Sequence, residues 1–190
     1  MEIILASSSK YRQALLKRLN IDFTCHAPNI DESLDNALSL KNNVLSISKK
    51  KAQTISTLHP KALIIASDQL CSIENEVLGK PGDFDKAFEQ LKKATSNKVI
   101  FYTGLVVYNP NTSQFTSHCD KTIVVFRNLS EQEITGYLLT EKPYECAGSF
   151  KVESLGVSLF KEVINTDPTA LIGLPLIKLC EILRQNNVKV

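Results

Sequence analysis

Five consecutive apolar residues, Ala62-Leu63-Ile64-Ile65-Ala66, run straight into Ser67-Asp68-Gln69. An unbroken apolar run of this kind suits a strand buried on both faces, as in the middle of an α/β sheet. An aspartate beside such a strand must be paired or solvated in a cleft, because burying it alone is costly. Ligands in open α/β sheets gather at strand ends, so the spacing places Asp68 just beyond the strand, where a site belongs.

The flanking sequence repeats the strand and helix alternation. Ile3-Ile4-Leu5-Ala6 is a second short strand that stops at Ser7-Ser8-Ser9, and Tyr11 to Leu19 then has apolar residues at helical spacing. The serines occupy a helix N-cap position, so free backbone N–H groups and Arg12 leave the same turn. That turn suits a phosphate, although a capped helix start with a solvated arginine has the same sequence. Phe23 to Ala27 predicts another strand, followed by a loop carrying Asp31 and Glu32. From Val44, the residues Ile47, Lys51, Ile55 and Leu58 recur at intervals of three and four, predicting a helix that ends near His59-Pro60. Lys51 sits on or beside its apolar stripe, where a snorkelling stem is the structural alternative to a functional ammonium.

Further on, Cys71 to Leu78 predicts a small hairpin broken at Glu74-Asn75, leading to Gly79-Lys80-Pro81-Gly82. The last segment reads equally as a turn with its lysine in water, and it lacks the pattern of a Walker A loop. A helix over 84–94, a long hairpin of Lys98 to Tyr108 with Phe115 to Phe126, and a capping box at Ser130 and Glu133 follow. Gly148 to Glu153 predicts a strand and Pro175 to Arg184 a closing helix. The central hairpin favours a mixed sheet over a parallel one.

Composition bounds the function. The 190 residues, 43% hydrophobic and 22% charged, suit one ordered domain spanning 1–190. A net charge of +2 implies no attraction to nucleic acid or an anionic membrane, so an anionic substrate must be held locally. Five scattered cysteines without a CxxC pair read as reduced thiols, and no apolar run resembles a signal peptide or a membrane span. The cytoplasm is the expected location. His26, His59 and His118 share no metal-ligand spacing, and no GxSxG elbow supports a serine nucleophile. Water attack assisted by a divalent metal fits better: Glu32 and Asp68 offer hard oxygen ligands, and the lysines and Arg12 offer charge for phosphate oxygens.

Taken in order, Leu5-Ala6-Ser7-Ser8-Ser9-x-x-Arg12, Asp31-Glu32, Lys51-Ala52, Ser67-Asp68-Gln69 and Gly79-Lys80-Pro81 resemble the Maf family of nucleotide pyrophosphatases. The resemblance continues through Phe101-Tyr102-Thr103-Gly104, Ala147-Gly148-Ser149-Phe150-Lys151, Asp167-Pro168 and Gly173-Leu174-Pro175-Leu176. It implies a Maf/inosine-triphosphate-pyrophosphatase-like α/β fold, an elongated mixed sheet flanked by helices with two lobes around a deep cleft. It implies hydrolysis of a nucleoside triphosphate to a monophosphate and pyrophosphate, with Mg²⁺ or Mn²⁺. It also implies roles: Asp68 as proton acceptor and, with Glu32, metal ligand; Lys51 and Lys80 as catalytic cations; Ser8 and Arg12 as phosphate-binding groups. A homodimer is compatible with the resemblance.

Three positions bear on the substrate. Family members acting on dTTP and UTP typically have arginine, threonine and glutamine where this chain has Tyr11, Gln69 and Glu153. The chain is more similar to the YceF-type subgroup that hydrolyses 7-methyl-GTP, which commonly has tryptophan at the Tyr11 position. The chemistry of the base agrees, since N7 methylation makes guanine cationic and suits an aromatic face and a carboxylate. A carboxylate also accepts from the guanine ring N–H and amino group together. The alternatives are a dTTP/UTP pyrophosphatase and, in another class, a non-catalytic nucleotide-binding regulator of cell division.

Overall fold

The computed structural model describes Met1–Val190. Its strands are β1 (Ile3–Leu5), β2 (Thr24–Cys25), β3 (Leu63–Ile73), β4 (Glu76–Val77), β5 (Lys98–Asn109), β6 (Gln114–Phe126) and β7 (Phe160–Ile164). The helices are α1 (Lys10–Lys17), α2 (Leu40–Leu58), α3 (Phe84–Ala94), α4 (Glu131–Glu141) and α5 (Leu176–Gln185), with 3₁₀ turns at Ala147–Ser149, Leu155–Leu159 and Ala170–Ile172. The sheet runs β2-β1-β3-β5-β6-β7, with β4 beside β3. β1 pairs in parallel with β2 and β3, whereas β3 with β4 and β6 with β7 are antiparallel. The expected mixed α/β sheet is therefore present.

The chain divides into two compact units. The first comprises Met1–Gln69, Tyr102–Asp120 and Asp167–Val190; the second comprises Leu70–Phe101 and Lys121–Thr166.

In the first unit, the period-two alternation of strand side chains separates two apolar layers. Ile3, Leu5, Leu63, Ile65, Leu105 and Val107 pack with Leu15 and Leu16 of α1 and Leu179, Ile182 and Leu183 of α5. Ile4, Ala6, Ile64, Ala66 and Val106 pack instead with Ala52 and Ile55 of α2. Helices thus cover both faces of β1 and β3, which explains why both strands read as unbroken apolar runs. At Gly104, α2 approaches closely: a Cβ there would lie 2.8 Å from Ser48 Oγ and 2.9 Å from the Val44 carbonyl oxygen.

In the second unit, Phe101, Phe126, Phe150 and Phe160 form an edge-to-face cluster with ring centroids 4.9–5.6 Å apart. The predicted capping box opens α4: Ser130 Oγ accepts from Glu133 N, and Glu133 accepts from Ser130 N.

Four sequence expectations need correction. β3 continues to Ile73, so Asp68 lies inside the strand and not beyond its end. The strand expected over 23–27 is reduced to Thr24–Cys25, the two exposed residues that pair with Ile4 and Leu5. Helix α2 begins at Leu40, because Ser39 caps it through Asn42 N. Gly148 to Glu153 forms no strand. Gly148 and Ser149 have positive φ, and Lys151 N donates to Tyr137 Oη, so this backbone lacks a strand's shape and pairing. The strand in this region is β7, which pairs Ile164 with Ile123 and Val163 with Val124.

Candidate active site

Two local periodicities bring the central charges together. Ile47, Lys51 and Ile55 are four residues apart on α2 and share a buried face. On β3, Ile64 and Ala66 lie in the layer facing α2, and Asp68 follows them at period two. Lys51 Nζ consequently donates to Asp68 Oδ1 at 2.7 Å, with the two side chains 7% and 10% exposed. The same ammonium lies 3.0 Å from Glu32 Oε2, whose side chain is half exposed.

Such a pair balances a large desolvation cost against attraction in a low-dielectric setting, so its existence is weak evidence of stabilisation and stronger evidence of a site. An ammonium has three N–H groups, and two carboxylates claim two of them.

Arg12 extends the cluster. Ser9 caps α1 by accepting from Arg12 N, and Ser7 Oγ accepts from Ser9 N at 3.1 Å and from Arg12 Nη1 at 3.5 Å. Burial pulls the guanidinium pKa below its ordinary value, against the fields of Asp68 and Glu32, which raise it. Ser8, between the two working serines, is exposed, and its carbonyl accepts from Gln13.

The opposite side of β3 is anchored to the segment Asp167–Leu176. Gly173 O accepts from Arg12 Nε at 2.9 Å and from Ser67 Oγ at 2.8 Å. Gln69 Nε2 lies 3.0 Å from Thr103 Oγ1, Ala170 O and Leu171 O, and Thr103 Oγ1 donates to Ala170 O at 2.9 Å. Asp167 accepts from Thr169 N and from Ile177 N at the start of α5. Gly173, Ser67, Thr103 and Asp167 were not singled out as site residues from sequence. All four lie in the segments that carry the family resemblance, which was the signal that could have found them.

Tyr11 is 38% exposed, at the start of α1. Lys80 and Glu153 belong to the second unit, where both are exposed. Lys80 Nζ lies 3.6 Å from Glu145 Oε2, a surface pair of little energetic weight. Close to Glu153, Lys151 is pinned through its side chain: Nζ donates to Glu141 O at 2.5 Å and lies 3.5 Å from Glu141 Oε2.

No group of three or more His, Cys, Asp or Glu side chains is arranged to hold a metal ion by itself. The donor chemistry of Asp68 with Glu32 still fits a hard divalent cation. Mg²⁺ keeps much of its hydration and commonly takes one or two carboxylates plus substrate phosphates, not a complete protein cage. His26 Nδ1 and His59 Nε2 are 2.9 Å apart and hydrogen-bonded to each other. No helix is long and apolar enough to cross a membrane.

The chain is similar in fold to the Staphylococcus aureus Ham1 protein, with 14% identity and a TM-score of 0.50 over 98% of this chain and 100% of that one. Residues 2–186 match the model of the family described as Maf-like protein. With nearly the whole chain matched, the chain belongs to the Maf family, which supports its being a nucleotide pyrophosphatase.

Proposed function

We propose that this protein hydrolyses 7-methyl-GTP to 7-methyl-GMP and pyrophosphate, with the whole chain, 1–190, acting as one catalytic domain. The observation that carries the hydrolytic part is Lys51 held between Asp68 and Glu32, at 2.7 and 3.0 Å. The residue types at Tyr11, Gln69 and Glu153 support the choice of base.

In this reading Lys51 gives one N–H to each carboxylate and its third to a phosphate oxygen. Asp68, committed to Lys51 through Oδ1, uses Oδ2 to orient the attacking water and accept its proton. Arg12, fixed by Gly173 O, presents its remaining N–H groups beside Ser8 for the phosphate chain. Lys80 adds positive charge for the leaving pyrophosphate. Glu32 and Asp68 would hold Mg²⁺ or Mn²⁺, which would neutralise phosphate charge and polarise the reacting phosphorus.

Base selection is assigned to Tyr11, which stacks on the cationic ring, and to Glu153, which accepts from the guanine N–H donors. Gln69 contributes through the Ala170–Leu171 turn that its amide nitrogen holds.

The test is pyrophosphate release from 7-methyl-GTP, GTP, UTP and dTTP at equal concentration with Mg²⁺ or Mn²⁺. Fastest turnover of 7-methyl-GTP is expected. Faster turnover of UTP or dTTP would reassign the enzyme to those pyrimidines. Nucleotide binding without turnover would favour a regulatory role.

A further inference from the structure

We propose that Gln90 is a positioning residue that ties the Gly79-Lys80-Pro81 loop to the Gly148-Ser149 turn. The proposal rests on the reading above that Lys80 serves the phosphate chain. It adds a part that neither residue's motif contains.

Gln90 lies on α3 and uses both ends of its carboxamide. Its Oε1 accepts from Ser149 Oγ at 2.6 Å, and its Nε2 donates to Gly79 O at 3.1 Å. Because a backbone carbonyl only accepts, the nitrogen must face Gly79, and the oxygen is thereby turned to the Ser149 hydroxyl. The amide thus connects two segments 59 and 11 residues away from it.

The segment on the Ser149 side is unusual backbone. Gly148 and Ser149 have φ of 75° and 64°, and Ser149 is fully buried. A buried non-glycine residue in the left-handed region persists only where its surroundings hold it there. At Gly148 the positive φ and the 2.9 Å from a would-be Cβ to Cys71 Sγ both call for glycine. The turn is consequently a rigid post, and Gln90 transfers its position to Gly79.

The other end of the loop is also tied, as Gly82 N donates to Tyr144 O at 3.0 Å. Between these ties, the Lys80 ammonium is two-thirds exposed and its contact with Glu145 is weak. Backbone anchoring therefore determines where the lysine stem begins, and Gln90 supplies it on the N-terminal side.

The experiment compares Gln90→Met, Gln90→Glu, Lys80→Ala and the Gln90→Met/Lys80→Ala double variant of the full chain. It uses whichever of the four nucleotides above is turned over fastest, with amide hydrogen exchange at Leu78 and Gly82, whose N–H groups donate to Cys71 O and Tyr144 O on either side of Gly79-Lys80-Pro81, as the second readout. Methionine removes both bonds; glutamate keeps the acceptor for Ser149 but cannot donate to Gly79. Both single variants should speed exchange at Leu78 and Gly82 and lower kcat/KM about tenfold, the effect of one well-placed hydrogen bond. In the Lys80→Ala background, Gln90→Met should cost less than about threefold, because its target is already gone. Unchanged exchange in Gln90→Met would overturn the tie, and a full tenfold loss in the double variant would show that Gln90 acts other than through Lys80. Wild-type kcat/KM in Lys80→Ala alone would overturn the reading of Lys80, while exchange would still decide whether Gln90 orders the loop.

Discussion

Lys51 Nζ stands 2.7 Å from Asp68 Oδ1, both side chains being almost entirely enclosed. The two partners do not tolerate loss equally. Lys51→Met leaves a buried carboxylate without its cation and should cost about 3 kcal/mol of stability, measured by urea denaturation. Asp68→Asn keeps an oxygen that can accept from Lys51, and Glu32 remains beside the ammonium, so it should cost about 1 kcal/mol or less. It should nevertheless abolish pyrophosphate release. Activity surviving Asp68→Asn would remove the proton-acceptor role.

The close approach of α2 to β5 sets where Lys51 starts. Gly104→Ala would push its Cβ into Ser48 Oγ and the Val44 carbonyl, of which the backbone atom cannot step aside cheaply. Overpacking of this kind should destabilise by about 1–3 kcal/mol and, by shifting α2, lower kcat. Gly136→Ala is the control, since nothing lies within 4 Å of a Cβ on that exposed helical site. It should stabilise by about 0.5–1 kcal/mol with activity unchanged. Thermal melts of the two variants should therefore move in opposite directions.

Acid should weaken the segment that holds Lys151. The carboxyl of Glu141 is held below its ordinary value, first by the Leu155 backbone N–H and then by the Ser154 hydroxyl and Lys151. An acid whose folded pKa is depressed lends stability that is complete above its unfolded pKa and disappears as pH falls through the folded one. For Glu141 that window lies below 4.5, its ordinary value. Melting temperatures of wild type and Glu141→Gln should differ at pH 6 and converge as the pH drops through that window. A constant difference would mean that the carboxylate's charge is irrelevant.

The cysteines give the opposite sign. Burial raises the Cys119 thiol to about 11 and raises Cys71 further. The folded state holds these protons after the unfolded chain has released them, so stability should fall as pH rises above the ordinary thiol value of 9.0. Both should also resist iodoacetamide at pH 8, because the thiolate is the nucleophile. Mass spectrometry should find Cys25, which is exposed, alkylated ahead of Cys71.

How much of this could be read without coordinates depends on sequence range. Lys51 was legible because it obeys the local period of four on α2, and Asp68 because an aspartate directly after an unbroken apolar run must be paired or solvated, whereas its period of two within β3 was not. The run Ala62 to Ala66 showed burial on both faces, but three polar residues hid the continuation of β3 to Ile73. What made the continuation possible is remote: Ser67 donates to Gly173, 106 residues away, and Gln69 reaches Ala170 and Leu171, 101 and 102 residues away. No window of sequence contains those partners. β7 was missed for a related reason, as four of its five residues are exposed and only its pairing with β6 makes it a strand.

Glu153 provides the sharpest test of the proposed substrate. A carboxylate facing a cationic purine supplies both charge and paired acceptors; glutamine at the same position retains one acceptor and replaces the other with a donor. Charge-assisted bonds are about twice as strong as neutral ones, so Glu153→Gln should lower kcat/KM for 7-methyl-GTP about tenfold or more. Uracil offers a single ring N–H and no amino group, so the loss on UTP should stay within about threefold, the scale of one neutral hydrogen bond. Because Glu153 is exposed, the substitution should leave the fold intact, and circular dichroism would detect a folding defect. Equal losses on the two nucleotides would place Glu153 outside base recognition and leave Tyr11 to carry the discrimination.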